Sequence, residues 1–151
     1  MNEMVVEQQV DAPVETVWRV VTDIEHAADF ISGITHIERV DAGSSFAPGF
    51  AWRETRRMFG KEVTELMTVV AVAEGQSYEV ESTSRGTTYY SSVAVTESGN
   101  GTMLTMRFRG EAQGTINTIL ISVVGRLFAS VNRKAMQQDL RDIAAVAEQA
   151  P

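Results

Sequence analysis

The apolar positions of this chain change period twice. Met4 to Val10 is rich in apolar and β-favouring residues and stops at Asp11-Ala12-Pro13, which predicts a first strand. Pro13 suits the first turn of a helix, where its missing N–H has no intrahelical partner, and Asp11 is placed to cap that turn. Val14, Val17, Trp18 and Val21 follow at helical spacing, so a short helix is expected over Pro13–Val21. Asp23 offers a cap for a second one, carried by Ile24, Ala27, Ala28 and Ile31. From Ile34 the period becomes two, and strands are expected near Thr35–Val40, Phe50–Met58, Lys61–Ala73, Ser77–Ser84, Thr87–Thr96 and Thr102–Ala112. Between them lie short turn signals at Asp41-Ala42-Gly43, Phe59-Gly60-Lys61, Ala73-Glu74-Gly75, Arg85-Gly86 and Ser98-Gly99-Asn100-Gly101. Connections this short favour an antiparallel meander over parallel crossovers. The last element, Thr115 to Gln149, opens on β-branched residues but carries Leu127, Val131, Met136, Leu140, Ile143 and Ala147 among charges, and reads as one long helix. At about 1.5 Å per residue it would extend ~52 Å, enough to cross a sheet.

The expected class is α+β: a curved antiparallel sheet of about seven strands, two short helices between strands one and two, and a long C-terminal helix gripped by the sheet. Such a sheet leaves space around its helix wherever the facing side chains are too small to fill it. The helix offers Ile119, Val123 and Leu127 within a broad apolar face, and the strands offer Trp52, Met67, Tyr78, Tyr90, Leu104, Met106 and Phe108. These are either ordinary core or the walls of an apolar cavity. Trp52, Glu54, Arg56 and Met58 share one strand face, and Arg53, Thr55 and Arg57 share the other. Turned inward, Glu54 and Arg56 would need partners, because an unpaired buried charge is very costly. They would then orient the carboxylate, carbonyl or hydroxyl end of a ligand. The competing reading leaves this face solvated, or pairs the arginines with cross-strand neighbours such as Glu65. Glu79, Glu81, Arg107 and Arg109 alternate with apolar residues and are expected on the outer face.

Composition narrows the functional classes. The chain has 151 residues, 44% of them hydrophobic, which fits one domain over residues 1–151. Its formal net charge of -7 disfavours nucleic acid and anionic bilayers. The absence of Cys removes disulfides, thiol nucleophiles and Cys-ligated metals. His26 and His36 match no common metal-ligand spacing and no third ligand is evident, so neither a metal nor a cofactor is expected. The opening MNEMVVEQQVDAP carries Glu3 and Glu7 and no basic stretch followed by an apolar one, so no secretory leader is expected and the expected location is cytoplasmic. Ile116 to Val124 is too short and too interrupted to span a bilayer.

The segment VDAPVETVWRVVTDIEHAADFISGITHIERVD, Val10 to Asp41, resembles the opening of the polyketide cyclase/START-domain superfamily (SRPBCC), the helix-grip fold shared with the birch-pollen allergen. The shared features are a first strand, an Ala-Pro opening the first helix, a Val-Trp on its buried face, and an Asp beginning the second helix. GFAWRETRRMFGKEVTELMTVVAV, Gly49 to Val72, resembles the third and fourth strands of bacterial members. In element order the resemblance covers essentially the whole chain. It implies a helix-grip fold around a hydrophobic cavity. It carries over no catalytic signature, since the superfamily includes lipid carriers, ligand-sensing receptors, aromatase/cyclases and quinone-binding proteins.

The leading functional expectation is therefore non-catalytic binding of a small hydrophobic molecule such as a lipid, isoprenoid, quinone or aromatic polyketide. The alternative is a polyketide aromatase/cyclase or dehydratase in the same cavity, with Tyr90, Glu54 and His26 as the nameable acids and bases. A third reading is a homodimer formed through the apolar start of the long helix.

Overall fold

The computed structural model describes residues 3–40, 45–58, 60–84, 87–112 and 118–150, with the side chains of 58, 84 and 111–132 outside the description. Strand β1 (Met4–Val10) is followed by helix α1 (Val14–Thr22), a 3₁₀ turn (Ile24–His26) and helix α2 (Ala27–Phe30). The meander β2 (Ile34–Arg39), β3 (Ala51–Met58), β4 (Lys61–Ala73), β5 (Ser77–Ser84), β6 (Thr87–Ser98) and β7 (Gly101–Ala112) comes next, and helix α3 (Thr118–Gln149) ends the fold. The expected elements are all present, with strand ends moved by one or two residues. The expected helical residues Thr115–Asn117 and the expected turns at 41–43 and 85–86 lie outside the described residues.

All seven strands form one antiparallel sheet in the order β1-β7-β6-β5-β4-β3-β2. Neighbours in sequence are neighbours in space except at one place, where the first strand pairs with the last: Met4 lies opposite Phe108 and Val10 opposite Thr102. The connection between β6 and β7 is tight, and Gly101 sits so close to the end of β1 that a Cβ there would fall 2.2 Å from the Val10 carbonyl oxygen. Only glycine fits at that approach.

Two caps expected from the sequence are absent. No side chain caps α1; the Pro13 carbonyl takes the Thr16 and Val17 N–H groups, and the Asp11 N–H is itself held by Glu148 of α3. Asp23 makes no cap either, because its carboxylate is turned to the His26 ring, 2.8 Å away. Helix α1 depends instead on its buried face of Thr16, Val17, Trp18 and Val21.

The described part of α3 buries Met136, Leu140, Ile143, Ala144 and Ala147 at helical spacing. One end of the molecule is solidly packed, with Val10, Val17 and Leu104 at or near zero exposure and Thr102 donating to the Ala12 carbonyl at 2.7 Å. Among the described residues, no helix is long and apolar enough to cross a membrane.

Two polar clamps join the layers over the other end. The buried Tyr78 hydroxyl of β5 donates to the Val21 carbonyl at the end of α1, at 3.0 Å, and the Tyr78 ring meets Trp18 edge-on. Arg56 of β3 forms a two-point pair with Asp139 of α3, at 3.2 Å through Nη1 and 2.7 Å through Nη2. Alongside it, the Ser32 N–H and hydroxyl both donate to Asp142 of α3.

Tyr78→Phe leaves the Val21 carbonyl without its partner in an apolar setting, and we expect a loss of about 1 kcal/mol in urea unfolding. Asp139→Ala strands a guanidinium on a single carboxylate and is expected to lose about 3 kcal/mol in the same measurement. Asp139→Asn keeps an acceptor for Arg56 and should lose clearly less.

Candidate functional site

The hollow end of the sheet follows from strand parity. On β3 the inward positions are Trp52, Glu54 and Arg56, and on β4 they are Val63, Glu65 and Met67, paired Trp52 with Met67, Glu54 with Glu65 and Arg56 with Val63. The inward side chains of β5 are Tyr78, Val80 and Ser82, those of β6 are Tyr89, Ser91 and Val93, and those of β7 are Met106 and Phe108. On β2 a register shift between Ile34 and His36 lets both Ile34 and Ile37 face the same side. Together with α1, α2 and residues Ala135, Met136, Asp139 and Ile143 of α3, these line a partly open cavity of about 330 Å³. That is within the range of small-molecule sites. It stays open because serines occupy inward positions 82 and 91 and glycine occupies position 33 at its edge. A Cβ on Gly33 would lie 3.0 Å from the Arg56 Nη1.

Most of the walls are apolar. Tyr89 stacks on Phe108 with ring centroids 5.4 Å apart, opposite Gly110, where a Cβ would press to 3.2 Å from the Tyr89 ring. An aromatic chain links two of the lining residues, Tyr78 and Trp52: Phe46 packs edge-on against Tyr78, Phe50 against Phe46, and Trp52 against Phe50.

The polar groups collect on β3, β4 and α3. The Glu54 carboxylate accepts from the Trp52 indole at 3.1 Å and from the Arg56 Nε at 2.7 Å, while Arg56 reaches on to Asp139. Glu65 accepts from the Ser82 hydroxyl at 3.0 Å. Burial opposes the charge on Arg56, but Glu54 and Asp139 outweigh it and hold the guanidinium protonated above its ordinary range. Burial pushes the Asp139 carboxyl up; Arg56 pulls it back without fully offsetting that, and Glu54 adds to the rise. Burial likewise pushes the Tyr78 phenol up, reinforced by the Glu54 carboxylate. A phenol raised in this way and already donating to a carbonyl is a structural donor, not a ready proton source.

Of the residues singled out in the sequence, Trp52, Glu54, Arg56, Met67, Tyr78, Met106 and Phe108 line this cavity. Two do not. Tyr90 lies on the opposite face, where Arg109 covers its ring at 4.2 Å, and its neighbour Tyr89 is the one turned inward. The alternation running back from the buried Val95 and Val93 through Ser91 to Tyr89 carries that parity. Leu104 faces inward but belongs to the solid end, packed with no free surface beside it. Ile119, Val123 and Leu127 fall where side chains lie outside the described residues. Arg56 pairs not with Glu65 but with Glu54 and with Asp139, which the sequence reading passed over.

His26 and His36 are exposed and away from the cavity; the Asp23 hydrogen bond raises the His26 pKa. Among the described residues, no group of three His, Asp or Glu side chains is arranged to hold a metal ion. Glu79 and Arg109 stand 4.0 Å apart on the outer face, as the alternation predicts.

No curated protein matches the sequence. Solved structures match its fold. TTHA0849 from Thermus thermophilus superposes with a TM-score of 0.80 at 19% identity, covering 97% of both chains. Ara h 8.0201 gives 0.74 at 15% identity over 99% of both. The Zhui aromatase/cyclase from Streptomyces sp. R1128 gives 0.77 at 16% identity, covering 98% of this chain and 94% of that one. At these identities the likeness is one of fold. Residues 1–148 match the sequence profile described as polyketide cyclase / dehydrase and lipid transport, and the chain belongs to that family.

Proposed function

We propose that this protein is a carrier or sensor that takes a small hydrophobic molecule (a lipid, isoprenoid, quinone or aromatic polyketide) into the cavity between the sheet and α3. The supporting observation is a partly open cavity of about 330 Å³ with apolar walls and its charged groups gathered on one side. Burial of a ligand there would contribute about 0.8 kcal/mol per CH₂ removed from water. Trp52, Met67, Tyr78, Met106 and Phe108 would supply the apolar contact. Glu54 and Arg56 would fix the orientation of the polar end.

Binding is favoured over turnover by the state of the acids and bases singled out in the sequence. An aromatase/cyclase or dehydratase needs an acid or base free to reach a bound carbonyl. Of Tyr90, Glu54 and His26, only Glu54 borders the cavity, and both of its oxygens already accept hydrogen bonds. The Tyr78 phenol and the Arg56 guanidinium, also on the cavity wall, are likewise engaged, with Val21 and with two carboxylates. The resemblance in fold to an aromatase/cyclase keeps catalysis as the second reading, with Glu54→Gln as its control: lost turnover of a polyketide-like substrate in that variant would favour it.

Native mass spectrometry of freshly purified protein, followed by organic extraction, tests the binding reading. A stoichiometric apolar adduct is expected. Met106→Trp, at a half-buried position on the cavity wall, fills the space and should remove the adduct while the unfolding transition stays cooperative. An adduct that survives this substitution unchanged would place the ligand elsewhere and overturn the proposal.

A further inference from the structure

Which polar group the ligand carries can be read from the hydrogen bonds its site has left unfilled. Arg56 is the obvious anchor for an acidic ligand, yet its charge is matched twice. Its Nε is 2.7 Å from Glu54 Oε2, its Nη1 is 3.2 Å from Asp139 Oδ1, and its Nη2 is 2.7 Å from Asp139 Oδ2. The N–H groups left over belong to a cation already facing two carboxylates, one of them almost fully buried. Glu65 is in the reverse position. It lines the cavity half-buried, directly across the β3–β4 ladder from Glu54, with one oxygen receiving the Ser82 hydroxyl. Among the described residues, no cation lies within ion-pair distance of it, and its second oxygen has no partner.

Among the described residues, the polar side of the cavity therefore presents three carboxylates, Glu54, Glu65 and Asp139, and the buried guanidinium of Arg56, which two of them already neutralise. A second cation, Arg57, also borders the space but is exposed to solvent, where its charge is screened. The Ser91 hydroxyl and the Tyr89 phenol add neutral groups able to donate. A ligand carboxylate entering here meets like charge at Glu65 and Glu54, and among the described residues bordering the space the one cation without a carboxylate partner, Arg57, offers only a solvent-screened charge. A ligand hydroxyl meets an open acceptor.

Resting on the reading of this cavity as a ligand site, we infer that it selects an apolar molecule bearing a hydroxyl or phenol, which donates to Glu65, and rejects carboxylate-bearing molecules of the same shape. Fatty acids and aromatic acids are then poor ligands, and neutral polyphenols or long-chain alcohols are good ones.

The test uses three fluorescent probes on one frame, anthracene, 2-anthrol and anthracene-2-carboxylate, titrated into the full chain at neutral pH. The phenol should bind at least about tenfold more tightly than the carboxylate, the discrimination a hydrogen-bonding site exerts against a group it cannot pair. In Glu65→Gln, which brings an amide donor to the same place, that ratio should fall to about threefold or less, with the affinity for anthracene unchanged. A carboxylate probe that binds as tightly as the phenol overturns the inference and leaves the cavity as a binding site. An unaltered ratio in Glu65→Gln removes Glu65 as the acceptor. Failure of all three probes to bind overturns the ligand-site reading and this inference together.

Discussion

The organisation of this molecule depends on one guanidinium placed where water does not reach it freely. Arg56 projects from β3 into the space that the sheet curves around, a position whose desolvation penalty would be prohibitive for an isolated charge. It is tolerated because carboxylates approach from two directions, Glu54 two residues away on the same strand and Asp139 from the long helix. The second of these sets the distance between layers. A helix held to the sheet by a salt bridge need not be held there by packed apolar side chains at the same point, so the space beside the bridge is not filled. Cavity and ion pair are thus two aspects of one arrangement.

The same arrangement explains the division of the interior into a solid and a hollow end. Where α3 presents Leu140, Ala144 and Ala147, it packs with Val10, Val17 and Leu104 into a close interior. Towards Met136 and Asp139 the facing strands carry Ser82 and Ser91, and the chain between α2 and β2 contributes Gly33. Small side chains opposite a polar bridge are a poor way to make a core and a sound way to keep one open. Through Phe46 and Phe50 an aromatic chain ties together two of the open part's walls, Trp52 and the Tyr78 clamped to α1.

Much of this was legible in the sequence because local rules carried it. Two-residue alternation between short turn signals gave the meander, and the face shared by Trp52, Glu54 and Arg56 followed from parity alone. Parity also explains the error at Tyr90. In a tyrosine pair each residue must face opposite sides, and only by counting back from Val93 and Val95 does the inward position fall on Tyr89. Leu104 shows a different limit: alternation gives the side of the sheet a residue faces, but not whether another element covers it there. Asp139 was missed because an acidic residue on a helix ordinarily reads as solvated. Its signal was its place within the stripe of Met136, Leu140 and Ile143, where an acid facing the same way must have a partner. That this partner was Arg56, on a strand far away in sequence, is information only the fold supplies.

The pairing of the first strand with the last constrains how the chain comes to be folded. From β2 to β7 each strand can join the one made just before it, at small loop-closure cost. β1 cannot. Val10 and Val6, both buried in the finished sheet, have no partners until Thr102 to Phe108 have been made. At ribosomal rates of roughly 5–20 residues per second, that leaves an apolar strand unpaired for about 5–20 s in every round of synthesis. It is the one part of the sheet whose formation waits for nearly the whole chain, and it exposes a sticky edge to the cell while it waits.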